Sequence, residues 1–519
     1  MKTLSQLICH NTYRQLPTAF GTPVSPQPLD APFLVHVNPH VCEWLELDPQ
    51  QAHTSYFVDL FTGNATHPTF DPIAMKYTGH QFGQYNPDLG DGRGLLLGEV
   101  LTSTGKKWDL HLKGAGLTPY SRQGDGRAVL RSSIREYLAS AAMAGLGINT
   151  THALALLGSE TPVYRETEER GATLVRVAES HVRFGHFEYL FYTQQHDELR
   201  LLADYLICHH FPHLDKQSDQ DAIAGEDASS NEAINKEAMN NEAINKETSR
   251  YALLFQEIVT LTATMIADWQ AIGFAHGVMN TDNMSVLGLT FDYGPYAFMD
   301  DYDPSFICNH SDYSGRYAFY QQPSIALWNL SALGYALTPL LSKAATDDAL
   351  NRYEPTLQKA YSRNMRNKLG LVLALDQDTA LFSALFTLLK QQSVDYTLFF
   401  YTLSQIPADA LATSGDDFAS LIANLAPVQA WLQDYMARVQ LEPQSDTERR
   451  KLMQQHNPKF ILRNYLAQQA IEKAERGDYS MIDDLLTVLQ SPYDEHPSLA
   501  HLAERTPAWG KTLAISCSS

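Results

Sequence analysis

The chain has 519 residues, 44% of them hydrophobic, with 59 acidic against 38 basic side chains and a formal net charge of −21 at pH 7. That length can bury one large two-lobed core or two to three ordinary domains, and the negative charge disfavours a non-specific grip on nucleic acid or an anionic membrane, so neither is expected as a partner. No run of 18 apolar residues and no signal-peptide core in residues 1–17 is present, and five cysteines (Cys9, Cys42, Cys208, Cys308, Cys517) form no CxxC pair; the expectation is a cytoplasmic protein without a zinc knuckle or disulfide framework.

Residues 1–75 are rich in Pro and aromatics, with a strand over 31–37 and a short helix over 39–47, and carry no evident chemistry. Then comes GHQFGQYNPDLGDGRG, residues 79–94, leading into an apolar strand over 95–100. Glycines let a backbone approach phosphate and aim N–H groups at it, although glycines beside strands more often make hairpin turns. The loop is a candidate phosphate contact, and Arg93 within it adds a cation. A second strand over 108–113 ends in Lys113, one hairpin after the loop, where protein kinases keep their phosphate lysine.

Gly124-Asp125-Gly126-Arg127 precedes a helix over 128–143 whose apolar stripe is Leu130, Ile134, Tyr137, Leu138 and Ala141. Glu136 lies off that stripe and reads either as a solvated carboxylate or as the ion-pair partner of Lys113. Residues 153–176 read as two strands about a turn at 166–170. Arg176 and Arg183 follow, seven residues apart, either as surface charge or as a guanidinium clamp on a polyphosphate.

Residues 215–250 break the composition, with nine acids, four bases, no aromatic and a repeated NEAINKE, which reads as a solvated or partly helical insertion without a catalytic role. His209, His210 and His213 lack carboxylate or cysteine partners at ligand spacing and are not read as a metal site. A core helix over 251–272, capped by Gly273, delivers the central stretch: Phe274-Ala-His276-Gly, Asp282-Asn283, a short strand and Asp292-Tyr-Gly294. The order resembles a protein kinase's catalytic loop and its metal-binding Asp-Phe-Gly. With His276 laid on the first residue of the kinase His-Arg-Asp signature, Asn283 falls on the metal-binding Asn, and Val278 falls where the catalytic Asp would stand. Valine cannot accept a proton, so the chain is either a dead kinase or an enzyme of different chemistry. An activation-segment analogue follows at 296–304, and residues 324–502 are almost wholly helical.

Taken together, the glycine loop, HLKGAGLTPYSRQGDGRAVLRSSIREYL, ESHVRFGHFEYL, HGVMNTDNMSVLGLTFDYGP and the terminal Cys517-Ser-Ser resemble the selenoprotein O family over nearly the whole chain. The resemblance implies an α+β, two-lobed protein-kinase-like fold with an enlarged helical C-terminal lobe: residues 1–200 as the nucleotide-binding lobe and 201–519 as the helical one. It implies transfer of AMP, and in some descriptions UMP, from ATP or UTP to Ser, Thr or Tyr hydroxyls of proteins, with pyrophosphate released and the nucleotide reversed relative to kinases. By the same resemblance, Gly90, Gly92, Arg93, Lys113, Asp125, Gly126, Arg176 and Arg183 contact ATP and Glu136 positions Lys113. Asn283 and Asp292 hold Mg²⁺ or Mn²⁺, and Asp282 is the general base; its residue-level alternative is a loop-capping carboxylate. Cys517 stands where some relatives carry selenocysteine, and a disulfide to Cys308 is the redox expectation, set against two unrelated thiols. The competing readings are a phosphotransferase that releases ADP and an ATP-binding pseudokinase scaffold.

Overall fold

The computed structural model describes residues 1–215 and 236–515, with backbone alone for 236–248. The strands in chain order are β1 (Gly21–Pro23), β2 (Phe33–Val37), β3 (Ile73–Met75), β4 (Gly79–Gln81), β5 (Gln84–Asn86) and β6 (Gly94–Leu101). They continue with β7 (Lys107–Lys113), β8 (Ala128–Val129), β9 (His152–Tyr164), β10 (Glu168–Ala178), β11 (Phe274–Ala275) and β12 (Ala297–Phe298). An antiparallel sheet runs β1-β3-β6-β7-β10-β9-β2, with β8 added beside β10; β4-β5 and β11-β12 are separate pairs.

The central strands are apolar at successive positions because both faces are covered. Leu95, Leu97, Leu110, Leu112 and Val177 join a core formed with the N-terminal segments, including Leu4, Val41 and Phe57. Leu96, Leu156 and Leu174, pointing the other way, pack with Ile134 and Leu138. Those two side chains belong to the long helix Leu130–Gly145, which follows the short helices α1 (Pro39–Trp44) and α2 (Ser55–Phe61) and is therefore α3. Chain order then gives α4 (Phe184–Tyr192), α5 (His196–His210), α6 (Lys236–Ile272) and α7 (Gln322–Ala336), and helices continue to Ser480–Gln490.

The architecture is thus α+β, a sheet-bearing N-terminal part followed by a helical remainder, with the core of the sheet's second face continuous into both. Leu254, Ile258, Met265 and Trp269 of α6 share it with Ile134, as do Ile482 and Leu489 near the chain's end. A second helical core gathers around Leu385, Phe399, Phe418 and Trp431. No helix of the described residues is long and apolar enough to cross a membrane.

Several boundaries differ from the sequence reading: the first strand is Phe33–Val37, the first helix stops at Trp44, and the short strand expected between Asn283 and Asp292 is reduced to isolated bridges at Ser285 and Thr290. The helix expected from 128 starts at Leu130, because Ala128 and Val129 are drawn into the sheet opposite Ala172 and Gly171. The turn expected at 166–170 tightens to the residues between Tyr164 and Glu168, which already pair. The helix expected over 251–272 begins at Lys236. Residues 236–250, rich in the helix formers Glu, Ala and Lys, therefore extend a core helix, whereas the first part of the insertion, 216–235, lies outside the described residues.

Candidate active site

A cavity of about 670 Å³ opens between the sheet and the segment 278–295. Gly90, Gly92, Arg93, Lys113, Asp125, Gly126, Arg176, Arg183, Asp282, Asn283 and Asp292 all line it, and Glu136 stands behind Lys113. Its cations are Arg93, Lys113, Arg122, Arg127, Arg165, Arg176 and Arg183, and its carboxylates are Asp91, Asp125, Asp282 and Asp292. Seven against four leaves a positive chamber in a chain of net charge −21, suited to a polyphosphate.

The inner wall is built by pairing register. Lys113 closes β7 opposite Gly94 of β6 and Leu174 of β10, and Arg176 follows two residues along β10, so both side chains leave the same face of the sheet. That face meets α3, and there Glu136, 2% exposed, takes Lys113 on one carboxylate oxygen and Arg176 on the other. The solvated alternative for Glu136 is thereby excluded. Burial pulls the Lys113 ammonium down to about 8; Glu136 opposes that shift, and Arg176 and Arg93 add to it. Burial also disfavours the Glu136 anion, yet Arg176 and Lys113 outweigh it and hold the carboxyl below its usual range.

Asp292 joins this wall to the central stretch. Its Oδ1 lies 2.7 Å from Arg176 Nη2, and its Oδ2 accepts from Arg183 Nη1 at 2.6 Å. Desolvation alone would raise its pKa, but Arg183, Arg176 and Lys113 press it far below the carboxylate norm. The backbone here is left-handed, with φ +58°, a conformation costly for a non-glycine residue and common at functional sites. Arg183 lies between the rings of Tyr77 and Phe291, each 4.5 Å from its guanidinium carbon, and also donates to the Asp282 carbonyl at 2.7 Å. The two arginines seven apart in sequence thus converge on the same carboxylate.

Asp282 sits in the 3-10 turn Thr281–Asn283, 7% exposed. Its Oδ2 accepts from Gln81 Nε2 at 3.3 Å, while its Oδ1 is buried without a hydrogen-bond partner. Burial raises its pKa to about 7, with Arg183 opposing and Asp292 reinforcing. Asn283 donates its Nδ2 to the Val278 carbonyl at 3.1 Å, which leaves its amide oxygen as the free donor to a cation. Oxygens of Asn283 and Asp292, which line the same cavity, are a donor set that fits a hard divalent ion, and the orphaned Asp282 Oδ1 is left free of that set. Among the described residues no group of three or more His, Cys, Asp or Glu side chains is placed to hold a metal ion. His276 is held by Phe291 O at 3.0 Å and stacks on Trp269, a structural role.

The glycine-rich run 79–94 divides in two. Gly90 to Gly94 line the cavity, whereas Gly79 to Asn86 form the β4–β5 hairpin against the loop 280–283. Loop 90–93 is held by Asp91, unread in the sequence, whose carboxylate accepts from Met75 N at 3.1 Å and Tyr77 Oη at 3.2 Å and meets His111 Nε2 at 3.0 Å. At the mouth, Asp125 is gripped by Arg165 through both oxygens, at 2.7 and 3.0 Å. Gly126 has φ +71°, and a Cβ there would stand 2.1 Å from Gly116 O, so only glycine fits. Arg165, Tyr77, Asp91 and Gln81 escaped sequence reasoning because nothing in their spacing marks them; the sheet and hairpin bring them in. Cys308 is 8% exposed, its thiol pushed up to about 12 by burial, and Cys517 lies outside the described residues.

The family model described as Protein adenylyltransferase SelO matches residues 3–490. A protein nucleotidyltransferase YdiU of Photobacterium profundum is 63% identical over 530 residues, covering the whole of both chains. Proteins of the same name from Vibrio cholerae serotype O1 (53% over 515 residues, 98% of each chain) and Vibrio atlanticus (51% over 519 residues, all of each) are likewise similar.

Proposed function

The chain belongs to the protein adenylyltransferase SelO family, and from that premise we propose that this cavity holds ATP with its polyphosphate inward and presents the α-phosphorus to a Ser, Thr or Tyr hydroxyl of a protein. Transfer of AMP to protein, from a nucleoside triphosphate, is the family's activity. What carries the residue-level reading is the pairing of two features: three buried cations (Lys113, Arg176, Arg183) converging on one wall, and a buried carboxylate oxygen left bare on Asp282. The first offsets charge on a departing pyrophosphate; the second accepts a proton.

Arg93, exposed into the cavity, and the Lys113–Arg176–Arg183 group bind the β- and γ-phosphoryl oxygens. Glu136 keeps the Lys113 ammonium in place and charged. Asp282 Oδ1 takes the proton of the acceptor hydroxyl as its oxygen bonds the α-phosphorus and the bond to pyrophosphate breaks. Val278, where a kinase would carry its base, lines the cavity and can hold no proton, so the base acts from Asp282 instead. Asn283 and Asp292 would hold Mg²⁺ or Mn²⁺, whose positive charge, when bound, screens the phosphoryl oxygens. Nothing in these contacts rejects UTP, and UMP transfer belongs to the same reading.

The domain reading is kinase-like: residues 1–200 as the nucleotide lobe and 201–519 as the enlarged helical lobe, with the site at their junction. Lys113–Glu136 and Asn283/Asp292, the placements a kinase uses, support it. Asp282→Asn tests the base: it is expected to bind ATP with unchanged affinity and to lose AMP transfer by about 100-fold or more. Full transfer by that variant would refute the assignment.

A further inference from the structure

Asp282 can serve as a base only if one oxygen is kept for the acceptor and the side chain does not turn. Its backbone is held by the Arg183 contact to its carbonyl, but its carboxylate receives a single hydrogen bond among the described residues, from Gln81. Gln81 is itself oriented: Asn86 Nδ2 donates to its Oε1 at 3.0 Å, which fixes the amide so that its Nε2 faces Asp282. The hairpin carrying both is bolted to the same loop. His80 N donates to Thr281 Oγ1 at 2.7 Å and Phe82 N to Asn280 Oδ1 at 3.3 Å. Thr281 donates in turn to the buried Glu188 at 2.8 Å, and Glu188 also meets His80 Nδ1 at 3.0 Å. Contact is close enough that a Cβ on Gly79 would lie 2.9 Å from Thr281 Oγ1 and 3.0 Å from Asp282 N, so glycine is what allows the hairpin to seat.

We propose that Gln81, set by Asn86, is a positioning residue for the transfer reaction: it occupies Asp282 Oδ2 and thereby presents Oδ1 bare to the acceptor hydroxyl. The proposal rests on Asp282 being the base. It assigns to the β4–β5 hairpin a task different from phosphate binding, that of orienting the proton acceptor in the loop on which the hairpin is seated.

The test is a double-mutant cycle on the full chain with Mg²⁺, ATP and casein as the acceptor probe. Turnover is read as pyrophosphate released and as AMP added to casein or to the chain. Gln81→Ala is expected to lower kcat by about 10–100-fold, the scale of a misplaced catalytic group, with KM for ATP and the melting temperature unchanged. In the Asp282→Asn background the same substitution is expected to have no further effect, because there is no base left to orient. Asn86→Ala, which frees the Gln81 amide to turn without removing it, gives a smaller loss in kcat and guards against a folding artefact at position 81. Gln81→Ala with wild-type kcat, or an equal loss with and without the Asp282 carboxylate, overturns the proposal. Should Asp282→Asn alone retain full turnover, the base assignment fails first and takes this inference with it.

Discussion

Replacing Glu136 by Gln keeps the volume of a side chain that is 2% exposed and removes the one negative charge shared by Lys113 and Arg176. Arg176 keeps a partner, Asp292 Oδ1 at 2.7 Å, while Lys113 loses the ion pair with Glu136 and keeps only the longer-range attraction of Asp292 against the repulsion of Arg176 and Arg93. Breaking a buried ion pair from one side costs about 3–5 kcal/mol. Part of that is capped here because Lys113, already lowered to about 8, can release its proton at pH 7 for about 1.4 kcal/mol. The remainder is the lost Glu136–Arg176 attraction, so the expected loss of stability is about 3 kcal/mol. A neutral Lys113 also grips a polyphosphate less well, and ATP affinity is expected to fall by about 10–100-fold, equivalent to roughly 1.4–2.8 kcal/mol. Thermal melting with and without saturating ATP, together with calorimetric titration of ATP, measures both. A Glu136→Gln protein that melts with the wild type and binds ATP equally well would refute the argument that this carboxylate holds the inner wall together.

Asp292→Ala frees both arginines from the carboxylate they share, and is expected to abolish transfer while nearly all of the fold persists, checked by melting and AMP incorporation. Lys113→Ala is expected to remove transfer with the fold likewise intact. With Asp282 raised to about 7, the deprotonated base grows as pH rises, so kcat should increase through pH 7 in the wild type, and the residual rate of Asp282→Asn should be flat over the same range. Lys368, 3% exposed with its ammonium 4.3 Å from the Phe400 ring and lowered to about 7 by burial, binds fewer protons folded than unfolded between pH 7 and its ordinary value near 10.5. Stability therefore rises with pH across that window, and Lys368→Met should flatten the rise in urea midpoints measured from pH 7 to 10.

Much of the site was legible because its chemistry is carried by residues whose neighbours announce them. Lys113 ends an apolar strand, Asp292 sits in an Asp-Tyr-Gly sequence after an apolar run, and Gly126 lies between two charged residues before a helix. The undecided ones were those whose role depends on a partner distant in sequence. Glu136 needed the register that sets Lys113 and Arg176 side by side; Arg176 and Arg183 needed Asp292, more than a hundred residues later, to be drawn onto one carboxylate. Least visible was the split of the glycine-rich run, since Gly79 and Gly90 look alike in sequence, and only the close seating of Gly79 on Thr281 assigns them to different walls. The α+β class was implied by the resemblance to the selenoprotein O family, and the strand and helix patterns along the chain are consistent with it. The helix expected at 251 begins at Lys236, because composition marks the insertion as low in complexity but does not say that its second part propagates a helix already nucleated by the core.

The central claim is that this cavity exposes the α-phosphorus of ATP, and the identity of what is transferred tests it most directly. The reduced protein incubated with Mg²⁺ or Mn²⁺, ATP and casein, followed by intact mass spectrometry of both proteins and by product analysis, should yield AMP-sized adducts with pyrophosphate and lose both in Asp282→Asn. Phosphate-sized adducts with ADP as the product would contradict the account, because they require the γ-phosphorus, not the α, to face the acceptor.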